Sequence, residues 1–225
     1  MKRDVFIEAG TGFGKTLASV LPQMLNDNNN NGVTILISPL KRLQSSQAAA
    51  ILNKYGLCTA VINEDTDCGD LFWDTIAYDF KKKTVGCADV FIVTPEQFFR
   101  SPQGHESRFG KLIRKHAFKR RIRVSVVDEA QFTHTFGQPR YGLKTFREAY
   151  GQLDVIKILF GPSIPWAAMT ATATYQILKT IEKTLLRPNY LHLHTTSNRQ
   201  NIMFASHCVS GRIDQPENYS QCMGE

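Results

Sequence analysis

Glu8-Ala9-Gly10-Thr11-Gly12-Phe13-Gly14-Lys15-Thr16 is the stretch on which the reading of this chain turns. Its alternating glycines let backbone N–H groups curl around an anion, and a helix starting directly afterwards aims its positive end at the same point. Lys15 can reach the β- and γ-phosphates of a nucleotide, and the Thr16 hydroxyl can ligate magnesium. Apart from Ala9 at the place of the first glycine, the spacing is that of a phosphate-binding loop. Ala9, Gly10, Thr11, Gly12, Phe13, Gly14, Lys15 and Thr16 are therefore the expected nucleotide contacts. A plain tight turn is the competing reading. It is disfavoured by context, because Asp4–Glu8 reads as a buried strand and Lys15–Leu25 as a helix that Pro22 kinks or shortens.

Working outward, a polar loop over Asp27–Asn31 separates this helix from a second apolar run, Val33–Ser38. Pro39 is expected to open a helix reaching Tyr55. Leu57–Ile62, Asp89–Val93, Val124–Val127, Pro165–Met169 and Tyr190–His194 read as further strands, and Tyr175–Leu186 as a helix. Glu64–Gly86 is acidic, then aromatic, then basic, and carries little pattern. Short buried runs alternating with helices predict a three-layer α/β fold, a mostly parallel sheet with helices on both faces. Ligands of such sheets bind at the carboxyl ends of the strands. The clusters Gly10–Thr16, Ser38–Leu40, Thr94–Glu96, Asp128–Gln131 and Thr170–Thr172 all follow predicted strands, so they should meet along one edge.

At the end of the Val124–Val127 run stand Asp128 and Glu129. A carboxylate there can hold magnesium, and its neighbour can polarise an attacking water. Asp128 is thus expected to share the metal with Thr16, and Glu129, Asp128 and Lys15 to be the catalytic groups. Acidic pairs are common on solvated helices, but few follow a buried strand downstream of a phosphate loop. Thr170 and Thr172 offer hydroxyls that can link the nucleotide edge to another surface; a threonine-capped turn is the simpler reading. Ser38-Pro39 and Thr94-Pro95 are ordinary helix starts, and a helix start is also an anion site. Lys111–Arg123 is strongly basic and reads equally as a solvated helix face or a nucleic-acid contact. His192 and His194 would share one face of a strand, which suits a surface pair better than a two-ligand metal site.

The surplus of 27 basic over 20 acidic residues gives a net charge of +7, which favours polyanionic partners such as nucleic acid. The 42% hydrophobic residues suffice for a packed core and argue against a disordered chain. No apolar run is long enough to span a membrane, and Met1–Gly10 lacks the apolar stretch of a signal peptide. A nuclear or cytoplasmic location is expected. Five scattered cysteines with no Cys-x-x-Cys pair argue against a disulfide framework or a structural zinc site.

Taken together, EAGTGFGKT, SPLKRL, VTPEQFF, VVDEAQ and MTATAT occur in the order of the first RecA-like motor domain of superfamily 2 helicases. Within these the chain resembles the RecQ family, through Phe132–Tyr141, similar to the aromatic-rich loop after the acidic motif, and through Thr196–Phe204, similar to the Ser-x-Asn-Arg-x-Asn segment. The resemblance implies a P-loop, RecA-like helicase ATP-binding domain over residues 1–205. It implies ATP and Mg2+ as cofactors and single-stranded or partly duplex DNA as partner, with RNA as the alternative polymer and 3′-to-5′ polarity. It also implies a second RecA-like domain that supplies an arginine finger. Nucleic acid would run along Ser38, Pro39, Lys41, Arg42, Thr94 and Pro95, helped by Phe132, Phe136 or Tyr141. Gln131, where the family usually has His, would join Thr170 and Thr172 in coupling, in altered form. Phe136 stands where RecQ proteins typically carry Trp. The chain starts one strand ahead of the phosphate loop, so the adenine-reading glutamine motif is expected to be absent, and only a tail at 206–225, read as disordered or a gene-prediction artefact, follows. A truncated module that binds ATP or nucleic acid without turnover is the second reading.

Overall fold

The computed structural model describes residues 3–25, 32–66, 69–77, 88–101, 104–139 and 142–196. The loop expected over 27–31, Tyr141, the segment past Thr196 and the tail lie outside the described residues. Strands are β1 (Val5–Glu8), β2 (Val33–Ile37), β3 (Thr59–Ile62), β4 (Val90–Val93), β5 (Ile122–Val127), β6 (Trp166–Thr170) and β7 (Leu191–His194). They form one sheet in the order β3-β4-β2-β5-β6-β1-β7. Every pairing among them is parallel, so all carboxyl ends share one edge. The expected convergence of polar clusters follows from this topology.

Helices α1 (Lys15–Met24) and α2 (Lys41–Tyr55) follow β1 and β2, and α3 (Asp70–Ala77) follows β3. Then come α4 (Arg108–Arg114), α5 (His116–Lys119), α6 (Phe132–Thr135), α7 (Glu148–Gly151), α8 (Leu153–Phe160) and α9 (Tyr175–Thr184). Strand parity sorts the core into two layers. Leu36, Val90, Ile92, Val126 and Met169 face Val20 of α1 and Ile51 of α2. Ile35, Ile37, Phe91 and Val93 turn the other way, onto Phe109 of α4, Ile156 of α8 and Ile181 of α9. This is the three-layer α/β sandwich. Pro22 falls in the last turn of α1, which ends at Met24, and it has no N–H to donate back along the helix.

Two expectations need correction. The helix after β2 starts at Lys41, not Pro39, with Leu40 in extended conformation before it. Ser38 is still in the ladder, its N–H bound to the Val93 carbonyl at 3.0 Å, which holds it in the strand direction. Neither Ser38 nor Thr94 caps with its hydroxyl. Thr94 does precede a short 3-10 turn, Pro95–Phe98, with Pro in its first position. The threonine cap expected in the turn after β6 is present at Thr174, whose Oγ1 accepts from Ile177 N.

At the opposite edge of the sheet, buried Asp4 ties three segments together. Its carboxylate accepts from Trp166 N at 2.8 Å, Arg187 N at 2.8 Å and the Arg187 guanidinium. Burial alone would raise the Asp4 pKa, but these donors overcome it and hold the carboxyl below its ordinary value. In the basic stretch, Leu112, Ile113 and Phe118 are buried while Lys111, Arg114, Lys115 and Arg120 face outward. No helix of the described residues is long and apolar enough to cross a membrane.

Candidate nucleotide site

The loop leaves β1 with Ala9 N donating to Thr170 O at 3.0 Å, which fixes its start to the end of β6. Gly12 and Gly14 have φ of 88° and 82°, a left-handed backbone that side chains other than glycine rarely adopt. Around Gly14 there is open space for a Cβ, so conformation and not crowding calls for glycine there. Gly14 then opens α1, its carbonyl accepting from Leu17 N at 2.9 Å. Lys15 Nζ folds back across the loop and donates to Ala9 O at 2.9 Å and Gly10 O at 3.1 Å. A phosphate placed in the cradle would compete with those carbonyls for the same ammonium.

Asp128 follows β5, its N–H bound to Ile37 O at 2.9 Å. Its buried Oδ2 accepts from Gln47 Nε2 of α2 at 2.6 Å, and Oδ1 from Glu129 N at 3.0 Å. Burial raises the Asp128 pKa, and the Glu129 charge adds to it. The amide donors and the nearby Lys15 charge offset only part of this. Glu129 sits at φ 49°, a left-handed conformation costing on the order of 1 kcal/mol for a non-glycine residue. The turn it makes aims its carboxylate at Gln131, whose Nε2 donates to Glu129 Oε2 at 2.7 Å. Gln131 Oε1 in turn accepts from the Thr170 hydroxyl at 2.6 Å. A polar line thus runs Glu129–Gln131–Thr170 across the ends of β5 and β6 and reaches the loop through Ala9 N.

Of the coupling residues expected from sequence, Gln131 and Thr170 share this line, while exposed Thr172 joins through its backbone N–H, 3.1 Å from Thr170 Oγ1. Along the same edge, Arg147 was not anticipated. Its guanidinium holds Glu96 through two bonds of 2.8 Å and donates to Pro39 O at 2.7 Å, bracing the Ser38-Pro39 and Thr94-Pro95 segments against each other. Lys41 turns to the exposed Glu64 and Asp65, with Nζ 2.8 Å from Asp65, while Arg42 is exposed. Phe132 and Phe136 stack at 4.2 Å, and Phe146, also unanticipated, closes edge-on over Phe136 at 5.0 Å.

The donor set suits a magnesium nucleotide. Thr16 and Asp128 are hard oxygen donors, and a dication beside Asp128 would offset the burial and the Glu129 charge that together keep its carboxyl high.

The family model described as DEAD/DEAH box helicase matches residues 1–181. The chain belongs to the DEAD/DEAH box helicase family. Relatives of this helicase domain are RecQ-type proteins. It is 29% identical to the ATP-dependent helicase SGS1 of Saccharomyces cerevisiae, over 90% of this chain and 13% of that protein. It is 30% identical to the ATP-dependent DNA helicase hus2/rqh1 of Schizosaccharomyces pombe, over 90% and 14%. With the mouse ATP-dependent DNA helicase Q1 it shares 27%, over 90% and 28%. The domain therefore spans well under a third of these relatives. Among solved structures it resembles Saccharomyces cerevisiae Dbp5 bound to RNA and ADP BeF3, with TM-score 0.54 and 17% identity over 86% of this chain and 42% of that one. It also resembles the helicase MrfA bound to DNA and AMPPNP, with TM-score 0.59 and 13% identity over 87% and 25%. These likenesses carry the RecA-like fold.

Proposed function

We propose that this chain is the ATP-binding motor module of a RecQ-type, ATP-dependent 3′-to-5′ DNA helicase. The observation that carries the reading is the line Glu129–Gln131–Thr170, bonded at 2.7 Å and 2.6 Å and abutting the phosphate loop. It gives a group beside the γ-phosphate a route to the strand ends that face nucleic acid. Lys15, released from the Ala9 and Gly10 carbonyls, binds the β- and γ-phosphates. Magnesium held by Thr16 and Asp128 supplies neutralising charge on the phosphate oxygens. Glu129 orients and polarises the attacking water, and Gln131 senses its position. Gln131 carries an amide where relatives of this type usually have His, so it relays by hydrogen bonding alone, without titrating near neutral pH.

Single-stranded DNA would lie along Ser38, Pro39, Lys41, Arg42, Thr94 and Pro95, with Phe132 and Phe136 as a stacking platform. A DNA substrate would put the work of the protein in the nucleus. ATP turnover by the chain, measured alone and with single-stranded DNA or RNA, tests the assignment. Stimulation by DNA is expected. Stimulation by RNA alone would reverse the choice of polymer. Turnover in Glu129→Gln equal to that of the wild type would remove Glu129 from its role. The variant keeps the shape and the bond to Gln131 but loses the charge, so hydrolysis should fall far more than ATP affinity.

A further inference from the structure

β1 and β7 run side by side, with Phe6 opposite His192 and Glu8 opposite His194. The two histidines are two residues apart, so their rings stand on one side of the sheet, and the Glu8 carboxylate reaches both. Glu8 Oε2 is 3.3 Å from His192 Nε2 and 3.1 Å from His194 Nδ1. One ligand atom from each of the three lies within 4.8 Å of the others. From this cluster we infer that Glu8, His192 and His194 form a binding site for a divalent transition-metal ion of the zinc type, separate from the magnesium position at Thr16 and Asp128.

The geometry carries the inference further than the two histidines did in sequence. A tetrahedral ion with bonds of ~2.0–2.1 Å sets neighbouring ligand atoms about 3.3–3.4 Å apart. Both oxygen-to-nitrogen distances are already within a few tenths of that. Only the ring nitrogens must draw together, and their side chains are 38% and 60% exposed. Two imidazoles and one carboxylate suit zinc, cobalt, nickel or copper, whereas magnesium prefers oxygen donors alone. The same exposure gives an entry path and leaves a fourth position open to water.

Without metal, one carboxylate oxygen faces both ring nitrogens, and an ion would replace any proton held between them. β7 pairs only with β1 among the described strands, so the ion would pin this edge strand to its neighbour. Because Glu8 directly precedes Ala9, it would also fix the strand end from which the phosphate loop departs.

The test uses the untagged 225-residue chain, stripped with chelator and titrated with zinc chloride by calorimetry and with cobalt chloride by visible absorption. One equivalent, a d–d band typical of four- or five-coordinate cobalt, and a zinc-dependent rise in melting temperature are expected. In Glu8→Gln an amide oxygen still accepts from the rings, so a purely hydrogen-bonded trio would survive. Zinc affinity should nevertheless drop at least roughly tenfold, since even outer-shell changes cost ~10–100-fold. His192→Ala/His194→Ala should lose the equivalent, and Cys58→Ser, which removes an exposed free thiol, should keep it. If the double variant does not fold, His194→Asn alone gives the same reading. No binding by the wild type at micromolar zinc would overturn the site, as would undiminished one-equivalent binding in Glu8→Gln or in either histidine variant.

Discussion

Asp128 is a buried acid whose proposed role in holding magnesium works against the stability of the domain. Its folded-state pKa lies above the ordinary 3.8, so folding favours the protonated form. That preference is whole below about pH 3.8 and is lost as pH rises through the raised value, leaving a cost at neutral pH. Asp128→Asn should therefore raise the melting temperature of the nucleotide-free domain at pH 7 by ~2–4 °C, about 1 kcal/mol, with the gain shrinking in acid. The Gln47 amide can turn to meet the new donor, because its Oε1 has no hydrogen-bond partner among the described residues. The same variant should lose Mg-dependent ATP affinity. Scanning calorimetry across pH checks the first half, and an unchanged or lowered melting temperature at pH 7 would contradict it. Lys15→Ala removes a compact cation from the cradle and should weaken ATP binding more than tenfold in titration calorimetry; equal affinity would dismiss the loop as the phosphate site.

Elements that bury a continuous apolar run were legible in sequence, and those held by distant partners were not. VTILI and VFIV announce β2 and β4 because strands covered on both faces need no polar positions. That Lys15, Thr16, Asp128 and Glu129 stand just past strand ends was legible for a related reason: each follows an apolar run at a short offset. The start of α2 was misjudged because Ser38 answers to Val93 on another strand. Arg147 gave no signal, since Glu96 and Pro39 are 51 and 108 residues away. Gly137 and Gly151 were equally silent. A Cβ on Gly137 would stand 2.4 Å from Gly151 N and 2.7 Å from Thr133 O, so backbone meets backbone where α6 and α7 cross. Gly137→Ala should cost about 1–3 kcal/mol, read as a lowered melting temperature. A melting temperature within error of the wild type would show that this crossing yields easily. Across the strand-end surface, contact with about four phosphates predicts a slope of log affinity against log salt on the order of −3 for single-stranded DNA. A salt-independent affinity, or one unaltered when Lys41 and Arg42 are both neutralised, would move the nucleic acid elsewhere.

For the whole molecule, the phosphate loop and Asp128 lie along one edge of the sheet, where the strands end. Phosphoryl transfer builds charge that an arginine finger stabilises by ~10³–10⁵ in turnover, and the second motor domain expected from sequence would supply that arginine. The 225-residue polypeptide by itself should bind ATP, hydrolyse it slowly and leave duplex DNA intact. Adding a second motor domain should speed turnover, and vigorous unwinding by the purified monomer would refute the argument. The position of β1 has a consequence in time. Its neighbours are β6 and β7, with Val5 beside Ala167 and Leu191, so the strand that launches the phosphate loop has no partner until those two strands have been made. At ~5–20 residues per second, a ribosome leaves β1 waiting on the order of ten seconds or more. Nascent chains halted before Trp166 should therefore fail to retain an immobilised ATP analogue, while chains released past His194 retain it. On this reading, nucleotide capture waits on β6 and β7, which leave the ribosome long after the loop proposed to perform it.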